Sequence, residues 1–392
     1  MTSAPRLALQ YSLLFAANGV TLPFAGLWLK AQGLSGGEIG ALLALPMFGR
    51  LVTGPMLAVW ADGFRYRRTP IAFLGLAMAA GYGGAGLVEG FWLWALFWFI
   101  GATAAAALIP LSDVLTLRIA RREGFSFALP RGFGSAAFVL ANVGMGVVLS
   151  RLAADAVIVV STAAALLIAL TAWRCLPPEP VHDGPVLAGW ERFRGLGALL
   201  RDPLFMTAIF AVGAIQAAHG FYYGFSAIAW KLQGVSETVT GLLWAFSVLV
   251  EILFMWVIEP WRRRLGIGPW ALLMIGAGAA MVRWTALAFA PPLWALWPLQ
   301  GLHALTFAAT YLAGVQMVER LCPGHSHTAA QTLGSVLSGG LLIGLATAVS
   351  GPLYDAIGLK AYLAMALLAL VGALAGLRLR TVFTPTGPKP LG

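Results

Sequence analysis

The chain carries the same pattern twice. Asn18-Gly19, Phe24, Lys30, Gln32-Gly33, Ser35, Gly40 and Leu42 return about 201 positions later as His219-Gly220, Phe225, Lys231, Gln233-Gly234, Ser236, Gly241 and Leu243. A second set returns at about 200 positions: Gly134-Ser135, Gly144, Ser150 and Asp155-Ala156 become Gly334-Ser335, Gly344, Ser350 and Asp355-Ala356. A duplicated chain folds as two similar units, and duplication in a strongly apolar chain points to paired membrane bundles. The repeat also exposes its own exceptions, with Arg50 matched by Glu251 and Arg131 by Gln331.

Composition identifies the solvent. The residues are 60% hydrophobic and 10% charged, against about 25% charged in soluble domains. A soluble chain this apolar would aggregate through exposed patches, so a lipid-facing surface is expected, and 47 glycines suit closely packed membrane helices. The net charge of +10 sits in short clusters between apolar runs, which orients a membrane protein and does not signal nucleic acid. Cys175 and Cys322 fall near span ends without metal-ligand spacing, so two unpaired thiols are expected. The N-terminus enters its first apolar run after only Arg6, with no cleavage site before a polar domain, and reads as a retained helix, not a signal peptide.

Runs of roughly 20 apolar residues each cross a bilayer as a helix. Twelve are predicted, at about 8–29, 38–60, 70–88, 91–117, 128–149, 155–174, 204–230, 237–258, 268–289, 293–318, 327–349 and 359–378. The runs are continuous rather than alternating, which argues against strands. Of 25 basic residues, 18 fall in the loops on the side of the termini, among them Arg65, Arg67, Arg68, Arg118, Arg121, Arg122, Arg192, Arg194, Arg262, Arg263, Arg264 and Lys389. The opposite loops hold Lys30, Arg151, Lys231 and Lys360. Both termini are therefore expected in the cytoplasm. The Pro-rich stretch 176–203 reads as a linker between six-helix bundles at 1–175 and 204–380, with a tail at 381–392.

Charges at membrane depth are expensive and normally face protein or water. Arg50, Asp113, Arg131, Glu251 and Arg283 are the candidates. Arg50 and Glu251 share a repeat position and lie near the middle of their spans. They form either a proton-sensitive latch, in which a carboxylate alternates between apolar and basic surroundings, or a static pair that docks the halves. Arg283 is either a second partner for Glu251 or a residue of the outer mouth. Asp113 and Arg131, 18 apart on consecutive helices, can meet across a hairpin, as a substrate-facing pair or a helix-end pair. Arg131 leads a polar stripe through Ser135 and Asn142, and a guanidinium suits carboxylates and diols.

Weaker polar groups extend the set. Span one offers Asn18 with Phe15; span seven offers Gln216, His219, Tyr223 and Trp230; span ten offers Gln300, His303, Phe307 and Tyr311. The histidines are either site residues or helix–helix hydrogen bonders. Asp62, with Arg65, Arg67 and Arg68, forms a loop that orients the chain or gates its cytoplasmic side. His182, His219, His303, His325 and His327 form no catalytic or metal cluster, so neither an enzyme nor a metal site is expected.

Twelve spans, a central linker and the loop Asp62-x-x-Arg65-x-Arg67-Arg68 resemble the major facilitator superfamily over nearly the whole chain. Within it, Pro23-Phe24, Gly33-Leu34-Ser35-x-x-x-Ile39-Gly40, Arg50, Pro110-Leu111-x-Asp113 and Arg131-x-x-Gly134-Ser135 resemble phenylpropionate permease-like transporters. These in turn are similar to lactose-permease-like proton symporters, in which an acid and an arginine at the positions of Asp113 and Arg131 hold the sugar. The resemblance implies an all-α fold of two pseudo-symmetric six-helix bundles and proton-driven uptake by alternating access.

The expected function is proton symport of a small organic solute across a bacterial inner membrane by a monomer, driven by the proton gradient with no cofactor. Three intramembrane arginines against two acids leave a surplus of +1, which favours a monoanion such as a phenylpropionate-like aromatic acid. A neutral sugar or nucleoside, using Asp113 and Arg131 as acceptor and donor, and proton-driven export of small hydrophobic compounds are the alternatives.

Overall fold

A computed structural model describes residues 3–181, 196–322 and 327–383. His182, Arg192, Arg194, His325 and Lys389, together with the linker core at 182–195 and the tail from 384, lie outside the described residues. The first half contains α1 (Ala4–Ala31), α2 (Gly36–Asp62), α3 (Arg68–Ala85), α4 (Phe91–Glu123), α5 (Ala128–Leu149) and α6 (Ala156–Arg174). A short α7 (Leu196–Arg201) precedes α8 (Pro203–Ala217), α9 (Gly220–Leu232), α10 (Glu237–Leu253), α11 (Glu259–Arg264) and α12 (Pro269–Leu287). Then follow α13 (Leu293–Gly301), α14 (Thr310–Leu321), α15 (His327–Ser335), α16 (Ile343–Ile357), α17 (Tyr362–Leu377) and α18 (Arg380–Phe383). Nine helical stretches among the described residues are long and apolar enough to cross a membrane, one of them, Ala330–Leu377, spanning both α16 and α17.

Local sequence sets the boundaries. Gly33 and Gly234, at equivalent repeat positions, both adopt positive φ (85° and 80°), where a Cβ would be strained. Each is followed by a serine that opens the next helix. Ser35 accepts from the Glu38 amide while Glu38 reaches back to the Ser35 amide, and Ser236 accepts from the Val239 amide. Asp202 caps α8 through the amides of Leu204 (2.8 Å) and Phe205 (3.0 Å), with Pro203 in the first turn.

Two compact units emerge. Among the described residues, the first comprises 3–181, 223–245 and 348–355. Here α1 packs on α5 and α6, α3 on α4 and α6, and α2 on α4. Trp28, Trp98 and Tyr82 form its aromatic centre, with Trp28 stacked on Trp98 at 6.3 Å. The end remote from the N-terminus is closed by pieces of the second repeat. Gly26 meets the Gly224 backbone so closely that any side chain there would strike it. The Asp355 carboxylate accepts the amides of Gly36 (2.8 Å) and Gly37 (2.7 Å) at the start of α2.

Among the described residues, the second unit comprises 196–222, 246–322, 327–347 and 356–383. In it α8 packs on α17, α12 on α17 and α14, and α8 on the segment Val336–Leu342. Through the repeat these correspond to α1 on α6, α3 on α6 and α4, and α1 on α5, so the duplicated sequence gives a duplicated packing pattern. Trp284 stacks on Tyr362 at 5.8 Å, and Phe221 meets Tyr362 edge-on. The second half is less regular than the first. The seventh span breaks between α8 and α9 at Ala218-His219, and wide π-helical turns occupy Phe254–Ile258, Ala304–Ala309 and Val336–Leu342. Such turns often mark functional positions.

Candidate functional site

The second unit buries a continuous polar network. Arg283 on α12 is fully buried. One terminal nitrogen donates to His303 Nδ1 (3.0 Å) and Thr306 Oγ1 (3.1 Å), and the other to Gln300 Oε1 (2.8 Å). Its guanidinium also lies over the rings of Tyr222 (4.7 Å) and Trp284 (4.5 Å), so the desolvated cation is held by acceptors and by aromatic faces. Tyr222 donates to Gln300 Oε1 at 3.1 Å. His219 shares a hydrogen bond with Thr306 Oγ1 (3.0 Å), and its Nδ1 reaches the Gln216 carbonyl (2.9 Å). Gln216 donates to the Phe307 carbonyl at 3.0 Å.

The network reaches an acid. Glu251 on α10 lies with its carboxylate 3.7 Å from His303 Nε2. An arginine can only donate, so His303 Nδ1 accepts, and the proton of the neutral ring sits on Nε2, facing Glu251. Arg283, expected either beside Glu251 or at the outer mouth, approaches Glu251 through His303, which stands between them. Arg50 lies on α2 in the other unit and is exposed.

In the first unit the hairpin of α4 and α5 brings Asp113 and Arg131 together. One terminal nitrogen of Arg131 approaches both Asp113 oxygens, at 2.6 and 2.9 Å. Tyr11 on α1 donates to Asp113 Oδ1 at 2.5 Å. The guanidinium lies over Phe15 (5.5 Å) and Phe127 (6.0 Å). The pair is not sealed, with the Arg131 side chain 39% and the Asp113 side chain 28% exposed. The other two guanidinium nitrogens make no hydrogen bond among the described residues. Tyr11, Phe15 and the half-buried Asn18 follow one another at helical spacing along α1, on one face. Among the described residues Ser135 bonds only to the Arg131 carbonyl at 3.5 Å, and buried Asn142 donates to Phe138 O at 2.8 Å, so the polar stripe on α5 largely serves its own backbone.

The loop after α2 is tied to the strand-like segment after α6. The Arg67 amide donates to Glu179 O (2.9 Å) and its guanidinium to Val181 O (2.7 Å). Arg68 donates to Leu176 O (3.0 Å), and the Val181 amide to Arg65 O (3.2 Å). Arg122 pairs with the buried Glu179. Arg67 and Arg68 thus fasten the bundle's own turns; Asp62, which ends α2, is half-buried.

Helical spacing singles out Tyr223 and passes over Tyr222, Thr306 and Tyr11. Tyr223 packs on Trp244 (6.0 Å), and its neighbour Tyr222 joins the network instead. The break at Ala218-His219 shifts the helical phase, which regular spacing does not anticipate. Thr306, the hub between Arg283 and His219, is not legible in the sequence, because a threonine in an apolar run carries no signal of its own. The same holds for Tyr11 in the first apolar run. No group of three metal-ligating side chains occurs among the described residues.

A family model described as the MFS_1 like family matches residues 5–364. The chain is 28% identical over 370 residues to the probable 3-phenylpropionic acid transporter of Escherichia coli (strain K12), covering 93% of this chain and 94% of that one. It is 29% identical over 369 residues to the maltose permease of Geobacillus stearothermophilus, covering 93% and 91%. Among solved structures, the nucleoside transporter NupG superposes with a TM-score of 0.81 over 96% of this chain and 99% of that one, at 18% identity. These proteins are transporters, not enzymes.

Proposed function

The chain belongs to the MFS_1 like family, and on that premise we propose that this multi-pass membrane transporter is a proton-coupled symporter importing an aromatic monocarboxylate of the phenylpropionate type. One observation carries the coupling: His303 presents its Nε2 to Glu251 while its Nδ1 is held by buried Arg283. A carboxylate in an apolar span that takes up a proton itself, beside a fixed neutral imidazole whose Nε2–H faces its ionised form, is what a coupling site requires. Glu251 takes up a proton, the solute engages Arg131, the transporter changes its open side, and both are released inward. No cofactor enters this cycle; the proton gradient supplies the work. The protein acts as a monomer in a bacterial inner membrane with both termini in the cytoplasm, in keeping with the basic loops on that side.

The substrate class rests on Arg131. Asp113 occupies one terminal nitrogen, so the rest of the fork can take a carboxylate. Phe15, Phe127 and Tyr11 surround it with rings that suit an aromatic body. A second reading is favoured by Asp113 itself, whose partly exposed carboxylate would accept from the hydroxyls of a neutral sugar or nucleoside.

Purified protein in liposomes distinguishes them. Labelled 3-phenylpropionate is supplied outside under an inward proton gradient, with maltose or uridine as competitors. Accumulation inhibited by neither competitor supports the acid; accumulation of a sugar or nucleoside in its place overturns that choice. Arg131→Lys keeps the charge but removes the fork, and unaltered affinity in that variant counts against recognition by Arg131.

A further inference from the structure

A polar cavity of about 390 Å³ lies in the second unit, at the end of the bundle that carries the basic loops, between the α11–α12 turn and the end of α14. Arg262, Arg263 and Arg320 line it with Glu319, and the turn Gly266–Pro269 forms one wall. The arginines differ in role. Arg262 is buried and donates to both oxygens of Glu259 (2.6 and 2.7 Å) and to the Ile267 carbonyl, so it builds the turn. Arg263 gives only its Nε to Glu259 (2.7 Å), and its side chain is 66% exposed. Arg320 is exposed on α14.

Three further features bear on what the cavity takes. Its arginines outnumber the acids Glu259 and Glu319, so it carries a positive surplus. The Gly266–Pro269 wall opens the 19-residue α12 with no side chain capping its amides, which adds the positive end of a helix dipole. Beside it lies an apolar outer surface, with Trp256 (78%), Val257 (54%), Trp261 (57%) and Leu265 (54%) exposed. Trp and basic side chains at the end of a spanning helix sit at headgroup level.

We propose that this cavity binds a phosphate group, with Arg263, Arg320 and the start of α12 as its donors. The group has two sources, an anionic phospholipid headgroup whose chains lie along Trp261 and Leu265, or free phosphate. Basic pockets at the ends of membrane helices recognise anionic headgroups, and each guanidinium in contact contributes about tenfold in affinity. The site shares no residue with Asp113–Arg131 or with the Glu251 network, and does not depend on which solute is carried.

The full-length protein in detergent is titrated with phosphatidylglycerol or phosphatidylcholine and read by native mass spectrometry. In parallel its melting temperature is followed with inorganic phosphate against chloride at equal ionic strength. The expected result is at least tenfold tighter binding of phosphatidylglycerol than of phosphatidylcholine, reduced tenfold or more in R320Q and further in R263Q/R320Q. R264Q, which removes a neighbouring arginine that does not line the cavity, should bind like the parent. Stabilisation by inorganic phosphate that R320Q abolishes, without lipid preference, supports the same site with free phosphate as its source. Equal binding of both lipids with no phosphate effect overturns the proposal. So does a loss in R264Q as large as in R263Q/R320Q, since that is general charge attraction.

Discussion

His303 Nε2 stands 3.7 Å from the Glu251 carboxylate, and Arg283 decides that this nitrogen carries the ring proton. The cation donates to Nδ1 and therefore cannot tolerate a hydrogen there. An arginine on a different helix from the acid so determines what the acid faces. The same arginine binds Thr306 and Gln300, so one buried charge orients side chains from two turns of the tenth span.

Arg283→Gln should destabilise the protein. Three acceptors lose a charged donor inside a fully buried site, at about 1–3 kcal/mol for each group left unsatisfied. Arg283→Lys should recover only part, because an ammonium cannot span all three acceptors as the fork does. Thermal unfolding of the purified variants checks this, and melting temperatures equal to the parent's would remove Arg283 from its structural role.

Tyr11→Phe removes the hydroxyl that donates to Asp113 while keeping the ring beside Phe15. A hydrogen bond to a carboxylate is worth about 1.5–3 kcal/mol. Stability is therefore expected to fall by about that amount, read from thermal unfolding against the parent, and an unchanged melting temperature would contradict this role of the hydroxyl.

Asp355→Ala should cost about 1 kcal/mol, the usual value of an N-terminal helix cap. Its carboxylate binds two successive amides at the start of α2, on the far side of the repeat. Its repeat partner Asp155 instead binds Trp28 Nε1 (3.0 Å) and Gln32 Nε2 (2.8 Å) on α1, within its own half. Cysteine labelling at Gly37→Cys should accelerate in the Asp355→Ala background and stay unchanged in Asp155→Ala.

The two thiols should differ in reactivity. Burial and the Asp202 carboxylate push the Cys322 thiol above its ordinary range, disfavouring the thiolate that reacts. Cys175 is half-buried. At pH 7 a maleimide should label Cys175 first, and Cys322 should gain speed only as pH rises. Mass spectrometry of timed digests resolves the two, and equal rates at pH 7 would contradict the account.

The sequence announced the architecture because duplication, span length and charge clusters each register in single residues. Asp113 and Arg131 were legible for a similar reason: a spacing of 18 across a basic loop describes a hairpin. The network around Arg283 was legible only in pieces. Gln300, His303 and His219 each stood out as polar groups in apolar runs, but their assembly depends on the break at Ala218-His219 and the wide turn Ala304–Ala309. Both alter helical phase, which a fixed period of 3.6 cannot represent. Symmetry alone picks out Arg50 and Glu251 as equivalent places in the two repeats. The neighbour of Glu251 is His303, 52 residues further along the chain and brought near by packing.

Substrate-induced proton movement is the most direct test of coupling. Proteoliposomes without an imposed gradient receive 3-phenylpropionate in weakly buffered medium while external pH is recorded, with Glu251→Gln in parallel. The expected result is alkalinisation of the medium by the parent protein, absent in Glu251→Gln although that variant still binds and exchanges the acid. Transport of the acid by the parent protein with no accompanying pH change would contradict the central claim.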